Sequence, residues 1–438
     1  MSNIENPRTG CALHGALATL EAIEGVVPIV HANAGCAIQH ALANQDTGGY
    51  IGGQSVPATN IIDKQVIFGG GARLREQIKN TAKVIDGRLY VVVGSCACAM
   101  VGDELTGMAR EAAEQGVPVA ASNVAGFHGG VHRGYERVLL DLIERLPELE
   151  STPPHREEDA RPLVNVLGLV PGGNPYYKGD LEELRRILEA IGLRANVFFG
   201  PDGYAALRSL PHARLNLVFS RWGEALAARL EEKYGTPQLI FDAAPLGIEE
   251  VSLFAQALVE RLDLDAGAAE RFLEREEALA EYFLLGAANR YFDEGVGKRV
   301  ALVGDTEIVL RIGSFLSRFA AVDIRTTIHT DRDDDEDIPA YFDGDTHASR
   351  DSGEIAAILR ASDIDLIFAS ALETDVARAL DVPLLVISPP SRDRAPGGQT
   401  YAGLRGAVAL GADFLTLIRQ ARRTDEENAK RRIVAGRG

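Results

Sequence analysis

Short runs of β-branched and aliphatic residues alternate with amphipathic stretches from one end of the chain to the other, and nothing else constrains the fold as tightly. The runs VVPIVHA (26–32), LYVVVGS (89–95) and VPVAASN (117–123) are nearly continuous in apolar character, which suits strands covered on both faces in a parallel sheet. VNVLGLV (164–170), ANVFF (195–199), LNLVFS (215–220) and PQLIFDA (237–243) form a second set. RVALVGD (299–305), VDIRTTI (322–328), IDLIFAS (364–370) and VPLLVIS (382–388) form a third. Amphipathic stretches between such runs are what a strand–helix–strand crossover requires, and that unit closes right-handed onto its sheet.

One of those helices is well specified by its residues. Asp180 stands at a capping position with Glu183 three residues on, and Leu181, Leu184, Leu188 and Ile191 share a face. Gly192 then ends the pattern. The polar stretch ELESTPPHREEDAR (148–161) reads as a linker, as does 289–298. The expected architecture is α/β, with three doubly wound, Rossmann-like parallel-sheet domains at 1–150, 160–285 and 298–420 and a charged tail at 421–438. A length of 438 residues accommodates two to three such domains at roughly 150 residues each.

Composition excludes some functions. A net charge of −18 argues against nucleic acid, whose phosphates demand clustered Lys and Arg. It is compatible with docking a basic patch on another protein, though solubility alone is the commoner reason for such a charge. No run approaches the ~18 apolar residues of a membrane span, and MSNIENPRTG lacks a signal-peptide core, so a cytoplasmic location is expected. The acidic run DRDDDED (331–337) lacks EF-hand spacing and its Gly, and reads as a solvated loop.

All four cysteines, Cys11, Cys36, Cys96 and Cys98, fall in the first hundred residues. Cys11 precedes a helix pattern; Cys36 and Cys96 follow the 26–32 and 89–95 strands, at the carboxyl ends where parallel sheets bind ligands. Gly35 lets backbone come close to a bulky group beside Cys36. Thiolates presented from helix starts can converge on one inorganic cluster, whose negative charge the helix N-termini favour. Other readings stay open on the residues alone. They are inert core cysteines, a zinc site (for which the Cys96–Cys98 spacing fits poorly), and a catalytic thiol with His14, His31, His40 or His128 as its base. Three thiolates also do not close a four-iron cluster, so an iron–sulfur group would need ligands from a second chain.

The segment 6–135 resembles the P-cluster domain of nitrogenase component 1, most closely its β subunit. VPIVHANAGC (27–36) is similar to the family's valine-histidine-glycine-x-x-glycine-cysteine turn. IIDKQVIFGGGARLREQIKN (61–80) resembles its valine-phenylalanine-glycine-glycine segment and helix, and VVVGSCACAMVGDEL (91–105) its cysteine…glycine-aspartate turn. EEKYGTP (231–237), SRDSGEI (349–355) and QTYAGLRGA (399–407) extend the likeness to about residue 420.

The resemblance implies that Cys11, Cys36 and Cys96 are the β-side ligands of a bridging cluster shared with an α-type subunit. The group would be of the [8Fe-7S] P-cluster type, with [4Fe-4S] as the alternative. Cys96 is preferred over Cys98 because Gly102-Asp103 then falls at the family's distance from the ligand. Gly35, Gly94 and Gly102 would admit close backbone approach, or else be ordinary turn glycines. Gly126 stands where the nitrogenase β subunit has a serine that ligates the oxidised cluster. No Cys follows position 98, so the substrate-reducing cofactor, and every catalytic residue, would lie in the partner. The implied assembly is α2β2, fed by a homodimeric ATP-hydrolysing iron protein. The lack of the long N-terminal extension, the Gly126 departure and the compact loops point to a nitrogenase-like reductase, first to methylthio-alkane reductase. A nitrogenase β subunit and a β-type scaffold for cofactor assembly are the alternatives. Protochlorophyllide reductase fits less well, since its β-like chain does not bring three cysteines.

Overall fold

In the computed structural model the described residues are 8, 10–46, 56–149, 160–294, 297–332, 336, 338–392 and 394–435. Most of the 148–161 linker, most of the acidic run 331–337 and all but a few of the first residues lie outside them. Among the described residues, every strand pairs in parallel within one of three sheets.

The first sheet holds β1 (Val26–His31), β2 (Leu89–Gly94) and β3 (Val119–Ser122) in that order. The second holds β4 (Leu163–Leu167), β5 (Arg194–Asn196), β6 (Leu215–Val218) and β7 (Gln238–Ile240), ordered β5-β4-β6-β7. The third contains β8 (Arg299–Gly304), β9 (Asp323–His329), β10 (Asp345–Ala348), β11 (Leu366–Ala369) and β12 (Leu384–Val386), ordered β10-β9-β8-β11-β12. The apolar runs became strands because both faces are covered. Ile29, Tyr90 and Val92 pack on Leu74, Ile78 and Leu105, for example. Burying such side chains contributes about 1.5–3 kcal/mol each.

By internal contacts the chain gathers into two compact units. One comprises Thr9–Gly173 and Leu193–Phe241, and so carries the first and second sheets. The other comprises Met1–Arg8, Asn174–Gly192 and Asp242–Gly438, built on the third sheet. In that second unit helix Thr306–Phe319 buries Ile308, Ile312 and Phe315 against Val300, Leu302 and Phe368.

Three local expectations are corrected. Asp180 does not cap its helix: the helix runs Tyr177–Ala190 with Tyr176 at the cap position and no side-chain cap. The Asp180 carboxylate is instead fully buried, accepting from Arg311 Nη1 at 2.8 Å, Asn174 Nδ2 at 2.9 Å and Tyr401 N at 2.9 Å. Glu183 likewise pairs with Arg186 at 2.7 Å rather than closing a capping box. Residues 289–294 are not linker but the last turns of helix Ala266–Glu294. The charged tail continues helix Gly403–Ala435.

Candidate metal centre

Three separate pieces of backbone deliver the thiols. Cys11 is the N-cap of helix Ala12–Glu21, whose backbone lies against helix Val131–Leu149 closely enough that a Cβ on Gly15 would overlap the Val131 carbonyl. An antiparallel bridge between Cys11 and Gly130, with Ala12 N donating to Gly129 O at 2.7 Å, brings the turn Gly126–His128 beside it. Cys36 sits in the first turn of helix Ala34–Asp46, its N–H directed at the Asn33 side chain at 3.4 Å. Cys96 opens helix Cys96–Val101, directly after β2, with Ser95 as cap.

Gly126 joins two of these pieces. A Cβ there would sit 2.8 Å from Cys11 Sγ and 3.0 Å from Cys96 Sγ, so both sulfurs border the same point and only glycine leaves it open. Cys36 is the third member: its carbonyl oxygen lies 3.4 Å from the His14 ring that also faces Cys11, and its thiol is pushed up first by burial and then by Cys11 and Cys96. All three are partly exposed. Of the other expected glycines, Gly35 would place a Cβ against only Asn33 Oδ1, whereas one on Gly94 would run into Leu105. Gly102 is the left-handed residue that ends the Cys96 helix.

His14, one turn beyond Cys11, reaches both neighbours. Its Nδ1 lies 3.8 Å from Cys11 Sγ and its Nε2 3.4 Å from the Cys36 carbonyl oxygen. Burial alone would raise the Cys11 thiol, but the His14 ring outweighs it and the net shift is downward. For His14 burial pulls down and Cys11 pulls up, with a net rise. A thiol held below its ordinary value is readier to act as a thiolate donor.

Behind the thiols stands a second, closed cluster. His31 Nδ1 lies 3.0 Å from Thr59 Oγ1, and its Nε2 lies 3.0 Å from Asp103 Oδ2. Asp103 Oδ1 accepts from Gly70 N at 2.6 Å, and Cys98 Sγ donates to the His31 carbonyl at 2.9 Å. Among the described residues, one ligand atom from each of His31, Cys98 and Asp103 falls within 4.8 Å of the others. Each is already hydrogen-bonded inside the chain, so the group is satisfied without a metal. Sequence reading did not find the contacts of His14 or the Gly70–Asp103 bond. The only signal for the latter was the run of three glycines at 69–71, where a Cβ on Gly70 would strike Asp103 and His31.

Sulfur donors from three segments at one partly open place fit a soft metal cluster, and the cradle that a Cβ at 126 would fill leaves room for its bulk. By fold this is an α/β protein, and its grouped thiols are a donor set that a metal-cluster redox protein would use. A family model described as nitrogenase component 1 type oxidoreductase matches residues 11–419, and the chain belongs to that family. It is 23% identical to the nitrogenase molybdenum-iron protein beta chain of Methanococcus maripaludis, over 92% of each chain. It is also 25% identical to one of the subunits of the light-independent protochlorophyllide reductase of Chlorobium luteolum, over 92% of this chain and 78% of that one. A third relative, the nitrogenase iron-molybdenum cofactor biosynthesis protein NifE of Bradyrhizobium diazoefficiens, is 26% identical over 90% and 71%. The solved structure of nitrogenase Cp1 at pH 6.5 superposes with a TM-score of 0.77 at 17% identity, covering 95% and 94%. That likeness establishes the fold; the family establishes an oxidoreductase subunit of nitrogenase-like type with iron–sulfur chemistry.

Proposed function

We propose that the chain is the β-type half of a nitrogenase-like reductase and ligates a bridging cluster through Cys11, Cys36 and Cys96. The observation that carries this reading is the Gly126 cradle, bordered by the sulfurs of Cys11 and Cys96. When bound, the cluster supplies one-electron relay between an ATP-hydrolysing iron protein and a cofactor held by the α-type partner. The chain's own residues do the rest. Cys11, Cys36 and Cys96 lose their protons to become donors, while His14 and the Asn33-anchored helix start orient them. Exposed apolar side chains on the same segments, Ile38, Met100 and Phe127, suit a partner surface that would cover the cluster and complete its ligands. Among the described residues no helix is long and apolar enough to cross a membrane.

Within this class we read small methylthio-alkanes as the substrate, with reductive carbon–sulfur cleavage in the partner's site. The support is the departure at Gly126 from the serine of nitrogenase β subunits. The cluster is read as the [8Fe-7S] type and the assembly as α2β2. The deciding experiment is anaerobic copurification with the native partners, followed by iron quantification and EPR of reduced and oxidised samples. Iron well above about four per αβ pair, with signals of a coupled cluster, supports the reading and justifies assays with thioethers and dinitrogen. Iron near zero, or zinc in its place, overturns it and leaves a scaffold or interaction role. Turnover of dinitrogen but not of thioethers would replace only the substrate.

A further inference from the structure

The ring of His14 is committed by geometry at both nitrogens. Nε2 faces the Cys36 carbonyl oxygen, which can only accept, so Nε2 carries the hydrogen. In the neutral ring Nδ1 then keeps its lone pair, and that lone pair faces Cys11 Sγ at 3.8 Å. A nitrogen and a sulfur bound to one tetrahedral metal, with bonds of about 2.0 and 2.3 Å, lie roughly 3.5 Å apart. Donation of the far N–H to a backbone carbonyl is also the usual way a protein orients a metal-binding imidazole. Two independent observations therefore point the same way: the tautomer forced by Cys36, and the spacing to Cys11.

This chain offers three thiols at the site, and Gly126 brings no side-chain oxygen between Cys11 and Cys96. We propose that His14 Nδ1 is a fourth protein donor to the cluster, on the same metal as Cys11. The proposal rests on the cluster reading given above and deepens it. A neutral imidazole binds without losing a proton and brings no charge, and imidazole ligands give higher reduction potentials than thiolates, as in Rieske centres. The competing role is a protonated ring that only donates Nδ1–H to a bound Cys11 sulfur.

Pulsed EPR of the native complex, isolated anaerobically with its partner and with histidine labelled by ¹⁵N, separates the two. A directly bound nitrogen couples to the cluster spin several-fold more strongly than one across a hydrogen bond. The expected result is a strong nitrogen coupling that changes with the label, disappears in His14→Leu and persists in His128→Leu. An iron-loaded native complex that shows only weak nitrogen couplings overturns the proposal and leaves the cluster reading standing. A native complex without iron overturns both. Because the labelled native protein carries the decision, poor folding of His14→Leu does not blunt it.

Discussion

The carboxyl ends of the first and third sheets meet the same geometric demand in opposite ways. Strand ends in a parallel sheet open onto a crevice that has to be filled by something. After β1 and β2 the chain leaves Cys36 and Cys96 partly exposed, with Ile38 and Met100 exposed close by. After β8, β9 and β11 it fills the crevice itself. Thr306 donates to Asp331 through both N and Oγ1, Thr330 Oγ1 donates to Asp305 at 2.9 Å, and Arg8 spans Ser370 and Glu373. Polar groups paired inside the chain mark a closed site. Soft donors beside exposed apolar residues are what the proposed cluster and partner would require. The contrast can be tested at both ends.

The largest effect belongs to the open end. Cys11→Ala, Cys36→Ala and Cys96→Ala are each expected to lose the cluster, read as iron per complex, because every one removes a ligand that the chain does not duplicate. Unfolding of the unit on the third sheet should be unchanged in all three. Iron content equal to that of the native protein in every variant would remove the ligand assignment.

At the closed end the cost is thermodynamic. Arg311 and Asp180 are paired at 2.8 Å with side chains 1% and 0% exposed. Arg311→Met leaves a buried carboxylate without its counter-charge and is expected to cost about 3–5 kcal/mol in denaturant unfolding, with iron content unaffected. The double variant Arg311→Met, Asp180→Asn should recover much of that loss. A single variant as stable as the native protein would show that the pair is not closed off from water.

A smaller, pH-dependent effect comes from His329 at the end of β9. Burial outweighs the opposing pull of Asp331 and takes its pKa down to about 4. Its Nε2 is buried with no hydrogen-bond partner among the described residues. The folded ring stays neutral where the unfolded one, at 6.5, takes a proton. Stability from this group is therefore complete above pH 6.5 and lost as pH falls toward 4, by up to about 3 kcal/mol at 1.36 kcal/mol per unit. Glu307, raised to about 7 by burial, acts with the opposite sign: its contribution falls as pH rises from 4.5 through 7. Comparing melting curves of native protein and His329→Gln between pH 4 and 7 isolates the histidine. Parallel curves would mean that the ring is protonated in the folded state.

Much of this was legible in the sequence, for reasons particular to each element. The apolar runs were found because a strand buried on both faces has no choice of composition, whereas β10 was missed because DTHA is a short, polar edge strand with its residues half exposed. Asp180 misled because a carboxylate near a helix start looks like a cap, and nothing local says that Arg311, 131 residues away, will claim it. The three ligand candidates drew notice because Cys36 and Cys96 follow strand ends and Cys11 stands at a helix start. His14 was visible only as a nearby base. Its meaning depends on the Cys36 carbonyl, a backbone atom 22 residues away that no side-chain pattern encodes.

Cys98 provides the smallest effect and the sharpest internal control. It lies two residues from Cys96, yet is 1% exposed, and burial is the chief reason its thiol is pushed up. Its Sγ donates to the His31 carbonyl and lies 3.3 Å from Ser95 Oγ. Removing it leaves the His31 carbonyl paired but takes away the sulfur to which the Ser95 hydroxyl donates. The His31 carbonyl still accepts from Ser95 N at 3.0 Å, and the Ser95 hydroxyl still caps the helix through Cys98 N, a backbone group that the substitution keeps. Cys98→Ala should therefore cost about 1 kcal/mol, the scale of one hydrogen bond and a small void, and leave iron content near native. If it lost iron as fully as Cys96→Ala, the boundary between open and closed donors would have to be redrawn. The satisfied trio of His31, Cys98 and Asp103 would then belong to the metal centre, because only a bound metal would explain why an internally bonded thiol matters as much as an open one.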